Sequence, residues 1–323
     1  MMKILIAAAT VAVSCGLVSA PAPAADYPDR PIKIVVAYPP GGATDVMARA
    51  VALRLGERVK QAVLVENRPG ASGQIGTTYV AKSAPDGYTL IFTAADTHSI
   101  NPHVYPKIAY DARRDFVPVA QVGYLPIALI VNPSVKATNV KEFIALAKQQ
   151  PGKLTFASFG TGSSSHVAME MLKAEAKIDL LHVPFQGAAP AVTAVLAGQV
   201  DSMMVPLTLA VPHHRAEKVR LLGIAAPARF AGASDLPTFT EQGIPLNSAP
   251  WLGILAPAKT PQETVELLNR EINAVLDDSE VQQTLLKNGL ARETRKQPDF
   301  KAFLDGEYDR WGATIRGANI KSE

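Results

Sequence analysis

The chain has 323 residues, of which 48% are hydrophobic, 19% charged and 6% aromatic, with a formal net charge of +3. That near-neutral balance, without a basic run, excludes a surface that tracks nucleic acid, because phosphate contacts need clustered cations. The single cysteine, Cys15, excludes a disulfide framework.

Met1, Met2 and Lys3 precede an apolar run from Ile4 to Val13, and small residues follow up to Ala25. The run is shorter than the roughly 20 residues that span a bilayer, so it reads as a secretory signal peptide over 1–25, cut after Ala24 or Ala25. A lipoprotein cut at Cys15 is the rival reading, but Ala12 stands where a leucine is usual. The remaining chain of roughly 300 residues suits two domains of ordinary size.

From Pro31 onward, short β-rich runs alternate with helical patterns. Ile32 to Tyr38 is a strand, Thr44 to Lys60 a helix, Ala62 to Glu66 a strand, Gln74 to Ser83 a helix and Tyr88 to Ala94 a strand. This βαβαβ alternation predicts a parallel sheet buried on both faces. The pattern restarts after Pro151, with strands at Leu154 to Ser158, Leu180 to Phe185, Val200 to Val205 and Arg220 to Ala225. Helices at Ser164 to Ala176, Pro190 to Gly198 and, weakly, Val211 to Lys218 separate them.

Two apolar segments, Phe116 to Val131 and Trp251 to Leu255, fall where one unit gives way to the other and read as connecting strands of a double hinge. The final helices, Pro261 to Leu276, Ser279 to Asn288 and Pro298 to Gly317, then return to the first unit. The predicted division is therefore 26–126 with 250–323 in one domain and 127–249 in the other.

Two glycine-bearing loops lie between a strand and a helix: Tyr38 to Asp45, and Phe159 to His166. Glycine lets the backbone approach a ligand closely, and the first amides of a helix have no internal partner and carry partial positive charge. Gly41, Gly42, Ala43 and Thr44 on one side, and Gly160, Thr161, Gly162, Ser163 and Ser164 on the other, thus predict a two-sided clamp for a carboxylate that needs no metal. Asp45 is assigned to capping, and Ser165 is expected to face solvent. Tyr38 and Phe185 each end a strand beside a glycine turn, where α/β sheets bind ligands.

Other chemistries are poorly supported. Ser163 with His166 lacks the Gly-x-Ser-x-Gly elbow of a serine hydrolase, so His166 reads first as a buried, hydrogen-bonded ring. His213 and His214 are adjacent rather than at ligand spacing, and no metal or other cofactor is expected. The glycines from Gly70 to Gly76 have the wrong spacing for a dinucleotide loop and read as a turn into a helix.

Six motifs share an order and spacing: Pro40 to Asp45, Val65 to Gly70, Ala84 to Leu90, Gly160 to Ser163 with His166, His182 to Phe185 with Gly187 and Pro190, and Trp251 to Gly253 with Ala256 to Ala258. With them the chain closely resembles the periplasmic solute-binding proteins of tripartite tricarboxylate transporters, the Bug family. The resemblance covers essentially all of the chain after the leader. It implies an α/β, two-domain periplasmic binding protein fold of type II-like plan, with a double-strand hinge and a central ligand cleft. It also implies a non-enzymatic, monomeric receptor that closes on a small organic carboxylate and presents it to the permease subunits. A periplasmic receptor for a membrane histidine kinase would use the same fold.

By the same resemblance the two loops above hold the ligand carboxylate, with His166 beside them, and the segment Ala95, Asp96 and Thr97 with the turn Phe185 to Ala188, including Gly187, lines the cleft. Val205 and Gln186 stand where relatives carry polar or charged groups. With Val205 on the far wall, they predict a ligand without an α-amino group and with an apolar or aromatic body.

Overall fold

A computed structural model describes residues 27–321, so the leader expected over 1–25 and Cys15 lie outside the described residues. The first βαβαβ unit forms as β1 (Ile32–Val36), α1 (Ala43–Val59), β2 (Val63–Asn67), α2 (Gln74–Ala81) and β3 (Thr89–Ala94). A π-helical turn, Asp96–Ile100, runs into the short α3 (Asn101–Val104) and then β4 (Phe116–Tyr124). The second unit comprises β5 (Ile127–Val131), α4 (Val140–Gln149), β6 (Thr155–Ser158), α5 (Ser164–Ala176), β7 (Leu181–Pro184), α6 (Ala188–Leu196), β8 (Ser202–Pro206), α7 (Leu207–Arg215) and β9 (Arg220–Ile224). The chain ends with β10 (Trp251–Pro257), α8 (Gln262–Leu276), α9 (Ser279–Lys287), β11 (Ala291–Arg292) and α10 (Gln297–Gly317).

These strands build two sheets of one plan. The first runs β2-β1-β3-β10-β4-β11 and the second β7-β6-β8-β5-β9. In each, three parallel strands are followed by an antiparallel one: β10 beside β3, and β5 beside β8. The parallel centres are apolar on both faces because helices cover both; in β1 only Lys33 of five residues is not fully buried.

The chain passes between the sheets twice, at Leu125 and Pro126 and over 225–250. The two passages touch, the Leu125 amide donating to the Pro250 carbonyl at 2.9 Å. The apolar stretch from Phe116 to Val131 is thus two strands in different sheets, broken where Pro126 has no amide to continue a ladder. Trp251 to Leu255 is more than a connector, since β10 is inserted between β3 and β4. The 21-residue helix α10 packs against the Asp96–Ile100 turn, β4 and also α5 of the second unit. One apolar cluster accordingly contains Phe156 and Met169 together with Trp251, Phe300 and Trp311.

Helices α3 and α4 were not anticipated. The start of α4 is set by Asn139, whose side chain accepts from the Glu142 amide at 2.9 Å, while Glu142 reaches back to the Thr138 amide at 2.7 Å. Asn139→Ala is expected to lower stability by about 1 kcal/mol, read as a shift in the urea midpoint.

Candidate functional site

A cleft of about 910 Å³ opens where the C-terminal ends of β1, β2 and β3 face those of β6 and β7. Of the residues expected at a site, Tyr38, Asp96, Gly160, Thr161, Gly162, Ser163 and Phe185 line it. Gln186, noted for its departure from relatives, also lines it. Nothing in the sequence reading had placed Ser72, Asn101 or Tyr105 there.

The start of α1 is open. Gly42 is its N-cap, and among the described residues no side chain caps the first amides, including those of Ala43 and Thr44. Gly41, Gly42 and Ala43 are exposed at the cleft margin rather than in its lining. Asp45 does not cap the helix. Its carboxylate instead takes the Gly41 amide at 2.9 Å, Arg49 Nε at 3.0 Å and Asn67 Nδ2 at 2.8 Å. Burial alone would raise its pKa, but these partners outweigh burial and hold it below the usual range.

The start of α5 is different because most of its amides are spent within the protein. The Ser163 amide donates to the Gly160 carbonyl at 3.1 Å, the Gly160 amide to Ser158 Oγ at 3.2 Å and the Gly162 amide to His166 Nδ1 at 3.1 Å. Ser163 caps the helix through its hydroxyl, which accepts from the His166 amide at 3.3 Å. The Ser164 amide and hydroxyl face the carboxylate of Asp96, which comes from the other sheet. The clamp expected at Gly160 to Ser164 is therefore largely occupied by the chain itself. Gly162 serves close approach: its φ is +77°, and a Cβ there would come within 2.6 Å of Val104 Cγ1.

Other expected residues sit behind the lining. Ala95 and Thr97 are fully buried, with Thr97 Oγ1 2.8 Å from His98 Nδ1. Gly187 and Ala188 form the turn into α6 without joining the lining. Val205 is fully buried in the second sheet opposite Ala128, so it cannot shape the far wall of the cleft. Ser165 faces inward, not to solvent, and donates to the Met204 carbonyl.

His166 is 5% exposed and stacks on His182 at 3.8 Å between ring centroids. Burial, then the neighbouring His182 and Lys173, lower the His166 pKa to about 3; burial and Lys173 lower that of His182 to about 4. Both shifts favour the neutral ring at pH 7, and for His166 the Gly162 bond to its Nδ1 requires it. Ser158 Oγ lies 2.7 Å from His182 Nε2, which resembles a nucleophile with its base. Ser158 has no exposed surface, however, and its hydroxyl also bonds Gly160 on both sides.

The residues missed by sequence form a wall from the turn after β2 and the α3 segment that follows β3. Ala71 and Ser72 have φ of +48° and +54°, the left-handed region that non-glycine residues rarely occupy. The turn is held by Asn101 Nδ2 on the Ser72 carbonyl at 2.8 Å and by Ser72 Oγ 2.7 Å from Tyr105 Oη. Its position at the C-terminal end of a parallel strand was the available signal. Among the described residues no cluster of three or more His, Cys, Asp or Glu side chains is placed to hold a metal.

A family model described as "Tripartite tricarboxylate transporter family receptor" matches residues 47–320. The chain belongs to this receptor family. It is 34% identical over 321 residues to Protein BugT of Bordetella pertussis, covering 98% of each chain. Among solved structures it is similar to R. palustris Rpa4515 with adipate, at TM-score 0.77 and 32% identity over 92% of this chain and 100% of that one. It is also similar to MatC (Rpa3494) from Rhodopseudomonas palustris with bound malate, at TM-score 0.73 and 33% identity over 90% of this chain and 100% of the other. The receptor-family fold expected from the motifs is thus the fold of these relatives.

Proposed function

We propose that this protein is a periplasmic receptor that binds a small organic carboxylate and delivers it to a permease of the tripartite tricarboxylate type. The observation that carries this reading is the cleft between the two sheets, whose lining is built from backbone turns, hydroxyls and aromatic rings. The uncapped start of α1 at its margin offers amides to an anion. Family membership and the adipate and malate held by two relatives support the same ligand class. No turnover is assigned to it.

In this reading residues 26–126 with 250–323 move against 127–249 about the paired passages at Leu125 and Pro250. The close approaches of Gly162 to Val104 and of Ser164 to Asp96 are those that closure makes. A ligand that binds the closed form better shifts the balance toward it and so presents a different surface to the permease.

A thermal-shift panel of small mono- and dicarboxylates, with and without amino and hydroxyl groups, tests the reading. A ligand at about 100 times its Kd adds roughly 2.7 kcal/mol of stability, a rise of several degrees. No stabilisation by any acid, or hydrolysis of an ester substrate, would count against it.

A further inference from the structure

The start of α5, where a ligand carboxylate was expected, already faces one, that of Asp96. Asp96 is also the only charged residue of the cleft lining; among the described residues that line it there is no Lys, Arg or His. Tyr38 lines the same cleft, its Oη is buried without a hydrogen-bond partner among the described residues, and the hydroxyl feels the Asp96 charge. A buried phenol hydroxyl without a partner is costly, and Tyr38 lines the cleft between the sheets.

We propose that Asp96 and Tyr38 form the specificity-determining end of the cleft and accept a hydrogen-bond donor from the ligand, best an ammonium group. This inference rests on the receptor reading above. A second bare carboxylate at that end would meet a like charge with no cation to offset it, whereas an ammonium gains a charge-assisted bond. Desolvation, only partly offset by its own amide and Ser164, raises the Asp96 pKa, as expected of a carboxylate still short of a partner. The Tyr38 hydroxyl either donates or accepts, so it orients the same group. The ligand's own carboxylate is left to the uncapped amides at the start of α1 and to Thr161. The earlier expectation of a ligand without an amino group is reversed, because one of its two supports, Val205, lies in the sheet.

Calorimetric titration at pH 7.5 with matched acids decides this: succinate, L-malate and L-aspartate, then glutarate, 2-hydroxyglutarate and L-glutamate. The wild-type protein is expected to bind the amino acid roughly 10- to 100-fold more tightly than the plain diacid of the same length, with the hydroxy acid between. Asp96→Asn should remove most of that preference, and Tyr38→Phe should weaken the amino acid and hydroxy acid but leave the plain diacid. Circular dichroism confirms that each variant is folded. Preference for the plain diacid, or a ranking unchanged by Asp96→Asn, overturns this inference and leaves the receptor reading standing. No binding of any of these acids at millimolar concentration overturns this inference; only failure of the broader panel of carboxylates sinks the receptor reading as well.

Discussion

Replacing Trp251 with alanine is expected to destabilise the protein by about 3–5 kcal/mol, the cost of emptying a large aromatic site in a packed core. Trp251 is fully buried, its indole Nε1 donates to Ser99 Oγ at 3.1 Å, and its ring meets Phe300 edge-on at 6.1 Å. It begins the strand that returns from the second sheet to the first, so the cavity would open beside the paired passages. Trp251→Phe keeps much of the bulk and loses the donor, so a smaller loss of about 1–2 kcal/mol is expected. Urea unfolding measures both, and an alanine variant within 1 kcal/mol of wild type, about the experimental margin, would show that the site collapses around the missing ring.

Mild acid is the second large effect. Burial lowers the His98 pKa to about 3, and burial with its neighbours lowers that of His166 to about 3. The unfolded rings titrate near the ordinary histidine value of about 6.5, so between there and pH 3 the unfolded chain binds more protons. Stability is therefore fully present above pH 6.5 and lost as pH falls. Each buried ring contributes about 1.4 kcal/mol per pH unit, so these two together remove roughly 5 kcal/mol between pH 6.5 and 4.5, and His182, lowered to about 4, adds to the same loss. Asp96, whose carboxyl is raised by burial, opposes this in part. His166→Gln, which keeps an acceptor for the Gly162 amide, should flatten the dependence by about one ring's share. A urea midpoint constant across that range would refute the assignment.

Much of this architecture could be read from hydrophobic periodicity. Runs such as Ile32 to Val36 admit little but a strand covered on both faces, and both glycine loops fall at strand-to-helix turns. What periodicity cannot show is which donors remain free after folding. Gly160, Gly162 and Ser163 have the chemistry of an anion clamp, yet their amides are used by Ser158, His166 and Gly160, which only the assembled structure reveals. Val205 shows the same limit, since a strand buried on both faces does not say which of its residues reaches the cleft. Ser72 was missed because a glycine-flanked turn into a helix does not show which of its residues reaches the cleft.

The insertion of β10 between β3 and β4 also dictates an order of assembly. The five-stranded sheet draws on one continuous stretch, 127–224, and can form as soon as that stretch is made. The six-stranded sheet cannot, because β2-β1-β3 and β4 have no common edge until residues 251–257 arrive, and closing so long a loop is slow. Until then β3 and β4 each offer a row of unpaired backbone groups, the kind of edge on which chains associate wrongly. A chain truncated before Trp251 would keep a complete second sheet beside a permanently split first one, so its expected fate is aggregation rather than a smaller working receptor.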